Sequence, residues 1–498
     1  MQKLVIVLVI VILYWMLVEI LKREGIFEKH NITVYGPVLL IRTEKGLNLL
    51  DNLSKHKSFW KKLANIGLPL VFFGMFFMFS LLIYADFLMI LNPPKPSELT
   101  SPRAALLIPG INPFIPIVWG TIGLIVTLIV HEFSHAILCR VENIKVRALG
   151  LIFALIPLGG FAEPDERELR DKSKVSRSAR IRIFSAGVTS NFAVAFIAFF
   201  IFIQLLGFVG PKVVVVEDNG SVLGEVLEIN GIKVKTQDDV YFAINNSTFV
   251  KLTIYKKSGG LINRTVKNIL GVKILGLYKE KNKTFPAERV GIKKGMLITK
   301  INGKRVKNST DFRIIMSKLK PRQNVTIEVF SNGSYKIFNV TLENMNGRGF
   351  LGVYIQLSDC LNGINLIYSQ HLLNSLKSVP RYFTSIPGWL YLISMPFRFQ
   401  GFIGDYKVLF NAPEWLFWFL NAFYWIGWMN FYVGLFNCLP AIPLDGGRVF
   451  HEALSSVLSR RYGERADEIS IKVVKLLAVI TFISIILSIA IPNLGGLT

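Results

Sequence analysis

Residues 114–136 read FIPIVWGTIGLIVTLIVHEFSHA. A helix rises about 1.5 Å per residue, so this run is long enough to cross the roughly 30 Å of a bilayer's hydrocarbon. Residues 114–130 carry no charge, and His131, Glu132 and His135 then arrive together at the run's end. Ionisable side chains in a membrane helix are costly unless paired or metal-bound, so this cluster needs a reason. Positions i and i+4 stack on one face of a helix. Both imidazoles can therefore meet one Zn²⁺, while Glu132 beside them reaches a water at the ion. The blander alternative is two histidines reaching for water at the lipid headgroups, a task that favours Lys and Arg.

Further apolar runs lie at 3–20, 65–91, 183–209, 413–438 and 471–491, which with 114–136 makes six expected spans. The whole 498-residue chain agrees: 52% of it is hydrophobic and its mean hydropathy is +0.46, as expected of a polytopic α-helical membrane protein. Residues 385–400 form a shorter run broken by Pro and Arg, which reads as interfacial or re-entrant. The first run lacks a small-residue cleavage site and is followed by basic residues, so a retained anchor is expected. Cys139, Cys360 and Cys438 are widely spaced and suggest neither a disulfide framework nor a metal site. The net charge of +24 sits mostly in short loops beside the spans. Anionic lipid and insertion topology account for it there, and no nucleic-acid partner is expected.

Those loops orient the chain. Lys22, Arg23, Lys29, Arg42, Lys45, Lys55, Lys57, Lys61 and Lys62 follow the first span, and Arg167, Arg170, Lys172, Lys174, Arg177, Arg180 and Arg182 follow the third. Both groups are expected in the cytoplasm. The loop at 92–113 has only Lys95 and Arg103, as an outer loop should. The polar stretch 210–370 then falls on the non-cytoplasmic side, and Arg448, Arg460, Arg461 and Arg465 fall back inside. Asn-x-Ser/Thr triplets at Asn246, Asn308, Asn324 and Asn339 leave glycosylation open.

Residues 210–356 change character to short alternating strands with Gly and Asn-Gly turns, the pattern of a folded polar insert. The insert repeats. Leu227-Glu228-Ile229-Asn230-Gly231 answers Thr299-Lys300-Ile301-Asn302-Gly303, and Asp239-Val240 answers Asp311-Phe312 at the same offset. Ala287 through Gly303 resembles a PDZ domain, and Val222 through Gly231 resembles it more faintly. The resemblance implies pairing of an extended peptide along a strand edge. A steric lid or spacer without a peptide ligand stands as the equal alternative.

A catalytic zinc needs a third protein ligand and an open position. Asp445 is the candidate, within Asn437-Cys438-Leu439-Pro440-Ala441-Ile442-Pro443-Leu444-Asp445-Gly446-Gly447 at the end of the fifth span. Prolines break the helix there and glycines permit close backbone approach. The third and fifth spans run in the same direction, so His131 and Asp445 are expected at one depth, near the cytoplasmic leaflet. Taken alone, Asp445 would read as a helix cap.

Taken together, these residues resemble the site-2 protease family of intramembrane zinc metalloproteases, peptidase family M50. His131-Glu132-Phe133-Ser134-His135 is similar to its HExxH helix, and Asn437 to Gly446 to its Asn-Pro-Leu-Asp-Gly motif. Ser185-Ala186-Gly187-Val188-Thr189-Ser190-Asn191 is similar to its Ala-Gly-x-x-x-Asn helix start, and the PDZ-like insert lies between the two catalytic halves. Ile442 departs from a proline common in that motif. The resemblance implies one zinc held by His131, His135 and Asp445, with Glu132 as general base, and cleavage of transmembrane helices of membrane-protein substrates trimmed beforehand by another protease. Asn437 would touch substrate or the oxyanion; Asn191 would do likewise or simply tie its span to neighbours. The expected division is N-terminal spans and basic loop (1–113), first catalytic half (114–209), PDZ-like modules (210–268 and 269–356), connector (357–410), second catalytic half (411–450), and a cytoplasmic loop with the last span (451–498). No role attaches to 21–64 or 357–410. Two other classes compete. A non-proteolytic PDZ-bearing scaffold would have no use for Glu132, and a metal transporter should spread polar residues along a path instead of clustering them at one depth.

Overall fold

A computed structural model describes residues 2–494 apart from 31, 45, 155, 217–221, 245, 246, 281, 282, 357, 358 and 363. Lys45 and the triplet at Asn246 lie outside the described residues. The chain divides into two compact units, one made of 1–204, 389–401 and 418–498, the other of 205–388 and 402–417.

The first unit is built on α1 (Gln2–Arg23), α2 (Lys57–Leu91), α3 (Ile117–Val141), α4 (Arg177–Leu205), α5 (Ile386–Arg398), α6 (Glu414–Asn437), α7 (Asp445–Tyr462) and α8 (Arg465–Leu494). Among the described residues, four helices are long and apolar enough to cross a membrane: those spanning Lys57–Leu91, Ile117–Val141, Arg177–Phe208 and Arg465–Asn493. The runs at 3–20 and 413–438 also form helices, α1 and α6, which are not among those four. In α6, Asn421 and Asn430 and many Trp and Tyr residues dilute its hydropathy.

Helix α3 buries Gly120, Gly123, Thr127, His131 and Ser134, a stripe of small and polar residues at three- and four-residue spacing. Such a stripe lets backbones approach. A Cβ on Gly123 would stand 2.6 Å from the Trp425 carbonyl oxygen on α6. Phe76, Phe200 and Phe482 point outward and stay exposed, as lipid-facing side chains would.

A four-stranded antiparallel sheet, β1 (Ile32–Tyr35), β2 (Val38–Thr43), β3 (Val146–Ala154) and β4 (Ile156–Pro164), packs β4 against α3. Nothing in the sequence reading anticipates it: β1 and β2 lie in the segment read as a roleless basic loop. Leu39 pairs with Phe153, and Arg42 reaches Glu163 at 3.1 Å.

The second unit holds one large sheet with two cores, beside two short strand pairs. The large sheet's strands of three or more residues are β5 (Val213–Val216), β6 (Val222–Ile229), β7 (Phe249–Lys256), β8 (Leu261–Lys267), β9 (Leu270–Leu277), β10 (Leu297–Ile301), β11 (Asn324–Ser331), β12 (Ser334–Thr341), β13 (Val353–Ile355), β14 (Asp359–Leu361) and β15 (Ile364–Tyr368). The main order is β8-β7-β6-β5-β15-β14-β9-β10-β11-β12. One core gathers Val213, Val226, Ile229, Leu252, Leu361 and Leu366. The other gathers Val272, Ile298, Ile301, Val325, Val340 and Leu351. The first core thus takes in β14 and β15, which a boundary at 268 leaves out; strand pairing at that sequence separation leaves no local trace. The repeated Asp is a helix-start residue in both halves. Asp239 closes a capping box with Thr236, and the Asn308 side chain accepts from the Asp311 N–H at 2.8 Å.

Candidate metal centre

The C-terminal half of helix α3 carries His131 and His135 one turn apart and facing the same way, their ring centroids 4.9 Å apart. Helix α6 stops at Asn437, and the chain folds through 438–444 before α7 begins at Asp445. Gly446 permits that fold, because a Cβ there would collide with the Cys438 carbonyl oxygen at 2.0 Å. The carboxylate of Asp445 consequently meets the imidazoles. Its Oδ2 is 3.0 Å from His131 Nε2 and 3.1 Å from His135 Nε2, and the two Nε2 atoms are 3.3 Å apart.

These separations suit a metal. Zinc bonds of about 2.0–2.1 Å at tetrahedral angles hold ligand atoms roughly 3.3 Å apart, close to the triangle the three side chains form. Among the described residues this is the one group of three or more His, Cys, Asp or Glu side chains able to hold an ion. The ring of His135 is oriented from behind: its Nδ1 lies 2.7 Å from the Ile183 carbonyl oxygen, an acceptor for an Nδ1 proton, so Nε2 is the ring atom that could face an ion. On the His131 side, the Asn191 carboxamide lies 3.0 Å from Nδ1. Asn191 therefore sits beside the His131 ring, fully buried in α4.

Glu132 shares the cleft without belonging to the triangle. Its Oε2 accepts a hydrogen bond from the Ala162 N–H of β4 at 3.1 Å. Gly160 clears the space beside it, since a Cβ there would come within 3.0 Å of Glu132 Cγ. Asn437 and Arg448 line the same cleft of about 1220 Å³. Arg448 lies over the Phe184 ring at 5.6 Å.

Three contributors escaped the sequence reading. Gly187 lies flat against both imidazoles, with its absent Cβ 2.5 Å from His131 Cε1 and from His135 Nε2. The Ile183 carbonyl and the Ala162 N–H are backbone groups, which no side-chain motif announces. Only Gly187 left a signal, as the glycine of Ser185–Asn191.

A buried pair joins the elements that carry the site. Arg180 on α4 donates to both carboxylate oxygens of Glu452 on α7, at 2.7 and 3.0 Å, and to the Val175 carbonyl oxygen at 2.8 Å. Arg177 on α4 reaches Ser455 on α7 and Asp467 on α8.

Comparison with known proteins places this geometry in context. The family model for peptidase family M50 matches residues 119–481. An uncharacterized protein of Methanocaldococcus jannaschii is 23% identical over 459 residues, covering 92% of this chain and 87% of its own length. A Clostridium perfringens protein, whose name proposes a zinc metalloprotease, is 27% identical over 196 residues, 33% of this chain and 57% of that protein. The serine protease Do-like HtrB of Bacillus subtilis is 32% identical over 146 residues, 24% of this chain and 31% of HtrB. Among solved structures, the PDZ domain of an SdrC-like protein from Listeria monocytogenes is 21% identical with a TM-score of 0.16, covering 18% of this chain and 92% of that domain.

Proposed function

The chain belongs to peptidase family M50, and from that premise we propose that it is an intramembrane zinc metalloendopeptidase cutting peptide bonds within the transmembrane helices of other membrane proteins. The observation that carries this reading is the convergence of His131 Nε2, His135 Nε2 and Asp445 Oδ2 with a carboxylate, Glu132, left over beside them. A purely structural zinc would have no use for that carboxylate.

His131, His135 and Asp445 would hold one Zn²⁺. Bound there, the ion would supply Lewis acidity, polarising the scissile carbonyl and lowering the pKa of water towards about 7. Glu132 takes the proton from the attacking water and delivers it to the leaving amine, so no covalent enzyme intermediate forms. The Ala162 N–H fixes one of its oxygens and leaves the other for the water. Asn437, at the end of α6, offers an amide donor to substrate backbone along the same cleft.

A substrate helix exposes no carbonyl until it unwinds, because all its backbone groups are already paired. Substrates are thus single-span proteins with helix-weakening residues, trimmed first by another protease. We assign six spans, with α1 and α6 completing the four most apolar helices. Loop charge puts the metal centre near the cytoplasmic leaflet and the PDZ-like modules on the other side, as peptide reader or size filter. The test is Glu132→Gln in detergent-purified full-length protein with a helical reporter: zinc is retained and cleavage is lost at least about 1000-fold. Wild-type cleavage by that variant would sink the assignment of Glu132.

A further inference from the structure

We infer that Asn191 is a positioning residue for the metal ligand His131, and not a group that touches substrate; the inference rests on the metal reading above. A neutral imidazole that presents Nε2 to an ion carries its proton on Nδ1. That proton needs an acceptor, because burial without one costs free energy. For His135 the acceptor is the Ile183 carbonyl oxygen. For His131 the neighbour is the Asn191 carboxamide, 3.0 Å from Nδ1.

Asn191 is fully buried, and its Oδ1 has no hydrogen-bond partner among the described residues. A half-turn of the carboxamide exchanges oxygen and nitrogen with almost no change of shape. Oδ1 then accepts the Nδ1 proton of His131, and one contact satisfies both groups at the expense of one amide N–H. The opposite orientation sets two N–H donors against each other whenever Nε2 is a ligand. Asn191 lies one turn beyond Gly187 on α4, and Ile183 one turn before it. One helix thus supplies an orienting acceptor for each ring and the gap between them.

Zinc affinity of the full-length protein in detergent, measured by equilibration against a graded chelator, tests the inference. Asn191→Leu keeps the number and branching of the side-chain atoms but removes the acceptor, and zinc binding should weaken about 10–100-fold. Asn191→Asp restores an acceptor and should bind zinc within a few-fold of wild type. With cobalt in the site, Asn191→Leu should also change the visible absorption of the ion, and Asn191→Asp should leave it close to wild type. If Asn191→Leu keeps wild-type zinc affinity and loses cleavage, Asn191 acts on substrate and the inference fails. If it keeps both, Asn191 only packs the helix and the inference also fails. A His131→Ala variant that binds zinc like wild type would instead overturn the metal reading, a failure distinguishable from that of Asn191 alone.

Discussion

Replacing Gly187 by alanine adds one methyl group where the structure has least room for it. The new Cβ would stand 2.5 Å from His131 Cε1 and His135 Nε2 and 2.6 Å from His131 Nε2, about 0.9 Å short of the 3.4 Å at which ordinary contact begins. Neither ring can simply retreat, because the Ile183 carbonyl and the Asn191 carboxamide back them. Metal bonds tolerate displacements of only about 0.2 Å. Two ligands would be lost together, and zinc affinity should fall by at least about 100-fold. The helix itself should not suffer, since alanine exceeds glycine in helix propensity by up to about 1 kcal/mol. Zinc content per chain after chelator equilibration and cleavage of a helical reporter should therefore both collapse, while the zinc-stripped protein still folds, its melting temperature lowered only by an overpacking cost of about 1–3 kcal/mol. Wild-type zinc affinity in Gly187→Ala would refute the placement of the rings.

Two other expectations concern stability. Glu452→Ala strands the buried Arg180 guanidinium and should cost about 3–5 kcal/mol, read as a fall in melting temperature in detergent, with Glu452→Gln costing less; an unchanged melting temperature would show that the pair is not buried. The Asp239 carboxyl is held below the usual carboxylate range, chiefly by the Lys235 backbone N–H, with the Thr236 hydroxyl and N–H adding to it. A carboxyl lowered in the fold stabilises above its unfolded value near 4 and loses that contribution as pH falls through its folded value. The protection of the 237–243 amides, their exchange rate relative to the intrinsic rate at each pH, should accordingly fall on acidification below about pH 4, and Asp239→Asn should flatten that dependence.

What the sequence disclosed follows from the range of each interaction. His131 and His135 are one helical turn apart, so their shared face can be read locally. Asp445 is distant, yet the alternation of charged loops put it at the same depth, and the carboxylate does reach both rings. Gly187 and Asn191 were visible as letters, but their contacts depend on how α4 crosses α3. The small sheet was hidden for the same reason. Val38–Thr43 pairs with Val146–Ala154 across a sequence gap that contains both α2 and α3, and Gly159-Gly160 in β4 reads locally as a loop. The repeat at Asn230-Gly231 and Asn302-Gly303 marked matching turns, since Asn230 and Asn302 both take left-handed backbone. It could not show which strands seal each core.

That sealing has a temporal consequence. The second core draws on residues between Val272 and Leu351, while the first takes its members from Val213 to Ile254 and again from Leu361 to Tyr368. One body is thus nested in the other along the chain. A ribosome working from the N-terminus finishes the inner body while the outer one still lacks its closing hairpin, so the later-encoded half of the pair matures earlier.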